Sequence, residues 1–159
     1  MRRSAPRGAV PGEPVIITGR VLDGAGKPVS DALVEIWQAD AEGSYAGLPG
    51  LFAGFGRCAT AEDGSYRFLT ILPGRVPGPD NRMQAPHAAL GVTARGLLKR
   101  LCTRLYFEDG EGLAQDPILE LVPSQRRATL VARREPEEGQ CYRFDIHLQG
   151  AAETVFFEF

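Results

Sequence analysis

The sequence predicts an all-β fold: a β-sandwich with one short helix and long loops. Three observations predict it. Short runs rich in β-branched and aromatic residues recur along the chain, each closed by a cluster of Gly, Pro or Asp. Residues 141–149 alternate clearly between apolar and polar side chains, and in residues 100–107 Leu101, Thr103, Leu105 and Phe107 alternate with Arg100, Cys102, Arg104 and Tyr106. Only one stretch has the pattern of a helix.

The elements follow in order. Residues 1–12 are rich in Arg, Pro, Gly and Ala without a period and predict a loose N-terminal tail. Residues 13–159 predict one β-sandwich domain. In the first strand Val15, Ile17 and Val21 share one parity and Ile16 and Leu22 the other, so both faces are expected to be covered. The cluster "DGAGKP" then turns the chain into a second strand, Ala32 to Gln38. The glycine-rich stretch "GLPGLFAGFG" leads to a strand rather than a helix, so it predicts a loop, not a phosphate cradle. Asp63-Gly64 is a turn before a strand from Tyr66 to Ile71, which Pro73-Gly74 ends. Residues 88–94 and 100–107 predict two more strands. In the second, Leu101, Thr103, Leu105 and Phe107 face one way, and Cys102, Arg104 and Tyr106 the other. The helix is expected over "SQRRATLVARR", with Ser124 as its N-cap. The run "CYRFDIHLQ" points Tyr142, Phe144, Ile146 and Leu148 to one side, and "ETVFFEF" predicts the last strand.

Charge and cysteines narrow the function classes. A formal net charge of −2 gives no general case for nucleic acid or an anionic membrane as partner. Arg95, Lys99, Arg100 and Arg104 crowd one region, and a solvated face is the ordinary explanation of such a cluster. Cys58, Cys102 and Cys141 lack CxxC spacing, which argues against structural zinc and fits free thiols in a reducing compartment. No signal peptide and no bilayer-length apolar run are visible, so a cytoplasmic protein is expected.

The chemistry-bearing residues are few. No G-x-S-x-G elbow, P-loop or dinucleotide-binding glycine pattern is present. His87, after Pro86, is a candidate metal ligand or a hydrogen-bonded interior histidine. His147 shares a strand face with Arg143 and Asp145 and suits a surface or a salt bridge. Tyr66, Tyr106 and Tyr142 lie in strands and suit packing, which leaves Tyr45, in a loop, as the phenolate candidate. Two such ligands do not close a metal site.

Several segments in one order carry more information. "GRVLDGAGKPVSDALVEIWQADAEGSY", "FGRCATAEDGSYRFLTILPG", "TRLYF", "DPIL", "YRFDIHLQG" and "ETVFFEF" together resemble the intradiol ring-cleavage dioxygenases over residues 13–159. "APHAALGVTARGLLKRLCTRLYF" is similar to the α subunits of that family's two-chain, protocatechuate-cleaving members. The resemblance implies a β-sandwich. It implies O₂-dependent opening of a catechol ring between its hydroxyl-bearing carbons, at a non-haem Fe(III) held by two tyrosines and two histidines. Phenolates are hard donors suited to ferric iron, and the metal helps the catechol ionise.

Carried over position by position, the ligand set is degenerate. Against the motif R-P-A-H-I-H this chain has Gln84-Ala85-Pro86-His87-Ala88-Ala89. His87 thus keeps the first histidine, Ala89 replaces the second, and Gln84 replaces the arginine. Val76 stands where the P-Y-P segment has its tyrosine. Tyr45 stands near the distance of the other ligand tyrosine, which precedes F-G-R-C, but matches the tyrosine of the shared G-x-Y element after "WQAD" better. The resemblance therefore implies that Fe(III) sits on a partner β subunit, with the small aromatic substrate and O₂ at a shared site. It also implies that Arg95, in "TARGLL", binds the substrate carboxylate in trans. The T-x-G-P element of such α subunits does not occur in residues 1–12. Two other readings stay open: an iron-bearing enzyme acting alone with an unusual ligand set, and a non-catalytic β-sandwich for binding or scaffolding.

Overall fold

The computed structural model describes residues 11–45, 54–136 and 139–158. Most of the predicted tail, and the glycine-rich stretch up to residue 53, lie outside the described residues. Nine strands form: β1 (Pro14–Leu22), β2 (Leu33–Gln38), β3 (Phe55–Ala59), β4 (Ser65–Ile71), β5 (His87–Thr93), β6 (Leu101–Phe107), β7 (Val131–Glu135), β8 (Cys141–Arg143) and β9 (Ile146–His147).

Their pairing runs β3-β2-β5-β6-β7-β8-β1-β4, with β9 beside β1. The corner is β7. Its first residues, Val131 and Ala132, pair parallel with Tyr106 and Phe107 of β6. Its later residues, Arg133 to Glu135, pair antiparallel with β8. One strand thus passes from the first layer to the second, and the all-β sandwich expected from the sequence follows. Between the layers lies the main core: Val34, Ile36, Leu90, Val92, Leu105 and Phe107 from one side, Val15, Ile17, Val21, Tyr66, Phe68 and Ile146 from the other.

Close backbone packing fixes one position in that core. A Cβ at Gly19 would land on the carbonyl oxygen of Phe144, next to the Tyr66 hydroxyl. That hydroxyl donates to the same Phe144 oxygen. The ladder is interrupted there without a change of register, so "CYRFDIHLQ" is two short strands rather than one. Phe144 N–H bonds to Thr18 O at 2.8 Å, and Arg20 N–H bonds to the Asp145 carboxylate at 3.0 Å.

Two expected elements differ. The segment expected as a helix is a 3₁₀ helix over Ser124–Leu130 followed by β7, and Ser124 does not cap it. Pairing with the free edge of β6 takes Val131 and Ala132 out of any helix. "ETVFFEF" is not a ladder strand: only Phe157 bridges, to Cys102. Threonine hydroxyls bind its backbone instead. Thr103 Oγ1 donates to Val155 O at 2.7 Å, and Val155 N–H donates to Thr129 Oγ1 at 3.2 Å.

A second, smaller core lies on the outer face of the first layer. Short 3₁₀ turns at Leu113–Gln115 and Leu119–Leu121 and the helix after them bring Leu119, Val122 and Leu130 onto Tyr106 and Ala85. This cover reaches the His87 end of β5 and leaves Ala89 exposed. No helix among the described residues is long and apolar enough to cross a membrane.

Candidate functional site on the outer face of the first layer

Strand parity assembles the site. Alternation places His87, Ala89 and Gly91 of β5 on the outer face, with Cys102, Arg104 and Tyr106 of β6 and Glu35 and Trp37 of β2. Register then sets the rows. His87 lies opposite Tyr106. Phe55, Trp37, Ala89 and Arg104 form one row across four strands.

A small hairpin joins the remaining positions to this face. Gln84 N–H bonds to Val76 O at 2.8 Å, Pro77 bridges Met83, and Gly78 N–H bonds to Arg82 O at 2.7 Å. Its tip holds Asp80 and Asn81 at φ 57, a conformation that Asp and Asn tolerate better than most residues. Val76 and Gln84 therefore meet, although seven residues separate them in the chain. The turn after β2 docks on the same loop: Gly43, at φ +81, lies so close that a Cβ would land on Arg75 O. This carries Tyr45 to the face, where its ring stacks on Trp37 with centroids 6.3 Å apart.

His87 is buried, with Nδ1 2.9 Å from Ala85 O and its ring 5.6 Å from that of Tyr106. Burial pushes its pKa below the ordinary histidine value; the Ala85 carbonyl opposes this, and the charge of Arg104 adds to it. Tyr106 donates to Asp116 Oδ1 at 2.9 Å, and burial is the main cause that holds its phenol proton far above the usual range. Asp116, fully buried, also accepts from the backbone N–H groups of Ala85, Ile118 and Leu119 at 2.8, 3.0 and 2.8 Å. The "DPIL" segment is thus the clamp between β5 and the covering 3₁₀ turns. Burial raises the Tyr45 pKa, and the positive charge of Arg104 opposes that rise.

Arg104 is the residue the sequence did not single out. Its Nη1 donates to Gln84 Oε1 at 2.6 Å and to Tyr106 Oη at 3.3 Å. The other members of the basic cluster do face water, paired with surface carboxylates: Arg95 with Asp31, Lys99 with Glu158 and Arg100 with Glu35, each at 3.5 Å. Arg104 turns onto the degenerate site instead. Its parity in β6 was the available signal; what covers that face was not. Arg95 is not part of this site. It sits on the β5–β6 connection, six residues beyond Ala89, with 91% of its side chain exposed.

These residues do not fit a ferric ion. Val76 and Ala89 offer no donor atom, and a guanidinium faces the remaining imidazole and phenol groups. Among the described residues no group of three His, Cys, Asp or Glu is placed to hold a metal.

The chain is similar to known proteins over most of its length. A family model described as "Dioxygenase" matches residues 2–150. The chain is 43% identical over 157 residues to the protocatechuate 3,4-dioxygenase alpha chain of Burkholderia cepacia, covering 92% of this chain and 78% of the relative. It is 41% identical over 158 residues to the beta chain from the same organism, covering 90% and 67%. Among solved structures, the dioxygenase domain of a dioxygenase carbohydrate-binding protein fusion from Streptomyces sp. SirexAA-E superposes with a TM-score of 0.70 at 31% identity, covering 89% of this chain and 83% of that one. A β-sandwich with this degenerate face, matched over nearly its whole length, belongs to the intradiol dioxygenase family.

Proposed function

We propose that this chain is the α subunit of a cytoplasmic protocatechuate 3,4-dioxygenase and pairs with an iron-bearing β subunit. The pair opens protocatechuate with O₂ to 3-carboxy-cis,cis-muconate, in aromatic catabolism by the β-ketoadipate pathway. Fe(III) sits on the β subunit, and this chain contributes Arg95 to the substrate carboxylate there. One observation carries the assignment. The chain keeps the family's sandwich while two of four ligand positions, Val76 and Ala89, are apolar and Arg104, opposite Ala89 in register, turns its guanidinium onto Gln84. Likeness to an alpha chain over most of the sequence supports the subunit type. The scattered cysteines Cys58, Cys102 and Cys141, without CxxC spacing, support a reducing compartment.

Co-expression with a β chain tests it. The pair is expected to hold iron, to show tyrosinate-to-iron colour and to take up oxygen with protocatechuate; this chain alone is expected to do none of these. A coloured, stoichiometrically iron-loaded sample of this chain alone would establish the stand-alone enzyme instead. A chain that never associates with a β subunit would favour the scaffold.

A further inference from the structure

We propose that this chain carries a binding site of its own for a monocyclic aromatic carboxylate, at Ala89 between Trp37 and Arg104. Three observations converge there. The first is a cation without a direct ion pair among the described residues; the carboxylate of Asp116 is one hydroxyl away, through Tyr106. Arg104 is half-buried, yet its two recorded partners, Gln84 Oε1 and Tyr106 Oη, are uncharged. Among the described residues no carboxylate lies within ion-pair distance of it, whereas Arg95, Lys99 and Arg100 each have one. Nε and Nη2 have no recorded acceptor among those residues either. A guanidinium withdrawn from water and fixed through one nitrogen presents its remaining fork to an anion.

The second is an aromatic wall. Trp37, Tyr45 and Phe55 are 50, 46 and 41% exposed, and they pack on one another at 6.2–6.3 Å. Exposed rings in contact on a sheet face offer stacking surface. The third is the gap. Ala89 lies between Trp37 and Arg104 in register and is exposed, with only a methyl group to fill its place. Two strand spacings separate Trp37 from Arg104, about 10 Å, which suits one benzoate-sized ring. The ring lies against the indole and its carboxylate takes the guanidinium fork.

The test uses the full chain without a β subunit, so its result is independent of the subunit assignment above. Trp37 is the sole tryptophan, so its fluorescence reports on the site directly; calorimetry gives a second measure. Protocatechuate and benzoate are expected to bind saturably. Catechol and inorganic phosphate, each lacking half of the recognised chemistry, are expected to bind roughly tenfold more weakly or less. Arg104→Gln is expected to lower benzoate affinity by about tenfold or more, and Lys99→Ala to leave it unchanged. Ala89→Leu fills the gap at an exposed position while keeping the guanidinium in the chain and is expected to abolish binding, which keeps the test decisive should Arg104→Gln fail to fold. Absence of saturable binding by both carboxylates overturns the proposal, as does equal binding of phosphate or catechol, or full affinity in Ala89→Leu.

Discussion

Arg104 Nη1 and Gln84 Oε1 stand 2.6 Å apart, joining β6 to the loop that carries Val76. The resemblance places an arginine at position 84 in catalytic members; here that position accepts a hydrogen bond from a guanidinium supplied by another strand. The neighbouring Gln84 Nε2 donates to Pro77 O at 3.2 Å, so the amide spans the hairpin. The face is therefore organised around a fixed cation, and restoring ligands alone is not expected to restore a metal.

The double variant Val76→Tyr/Ala89→His tests this. It is expected to stay colourless with ferric iron, because like charges repel strongly where solvent screening is poor. Adding Arg104→Leu is expected to be necessary before tyrosinate-to-iron absorption appears. Colour in the double variant itself would show that the guanidinium swings clear.

Gly19 predicts a severe packing defect. Gly19→Ala places a methyl group on the Phe144 carbonyl and against the Tyr66 hydroxyl. A loss of about 3 kcal/mol or more is expected in urea unfolding. Tyr66→Phe, which removes only the hydroxyl bonded to that carbonyl, is expected to cost about 1–2 kcal/mol.

Asp116 holds four hydrogen bonds at full burial. Asp116→Ala leaves three backbone N–H groups and the Tyr106 hydroxyl short of their acceptor. A loss of roughly 3–5 kcal/mol is expected, read as a lowered urea midpoint.

How far these features were legible in the sequence depends on whether they are local. Strand parity is local, so the inward set of β6, Thr103, Leu105 and Phe107, was readable, and so was the outward set with Arg104. The motif position of His87 and Ala89 was readable too. What covers the outward face was not. The contact of Leu119 and Leu130 with Tyr106 depends on a 3₁₀ segment whose residues also suit a helix. The last segment failed for a similar reason. "ETVFFEF" has strand composition, but the hydroxyls of Thr103 and Thr129, distant in sequence, take up the backbone groups of Val155. The solvated explanation of the basic cluster held for Arg95, Lys99 and Arg100 and failed for Arg104, because only the fold decides which arginine meets a carboxylate.

His87 gives a pH dependence. Burial keeps its imidazole neutral in the folded chain. In the unfolded chain it takes up a proton near pH 6.5 (roughly). Below that pH the unfolded state binds more protons than the folded state, so stability falls as pH drops from about 7, until the lowered folded pKa is passed. Urea unfolding across this window is expected to show the decline in the parent chain and a flatter profile in His87→Gln. An identical slope in both would mean that His87 protonates equally in the two states.

Arg95 makes the sharpest separation between structure and function. Its guanidinium is exposed, and among the described residues only Asp31 pairs with it, at 3.5 Å on the surface. An exposed pair of this kind contributes about 0–1 kcal/mol, so Arg95→Ala is expected to leave unfolding almost unchanged. If the residue reaches the substrate carboxylate at a β subunit's iron, the same change removes roughly 1.5–3 kcal/mol of charge-assisted hydrogen bonding. That corresponds to a drop of about tenfold to hundredfold in kcat/KM for protocatechuate. Catechol lacks the carboxylate and is expected to be affected far less. Oxygen uptake by the assembled pair with both substrates separates the cases. Equal losses for the two would assign Arg95 to assembly, and an unchanged kcat/KM for protocatechuate would leave it a surface residue.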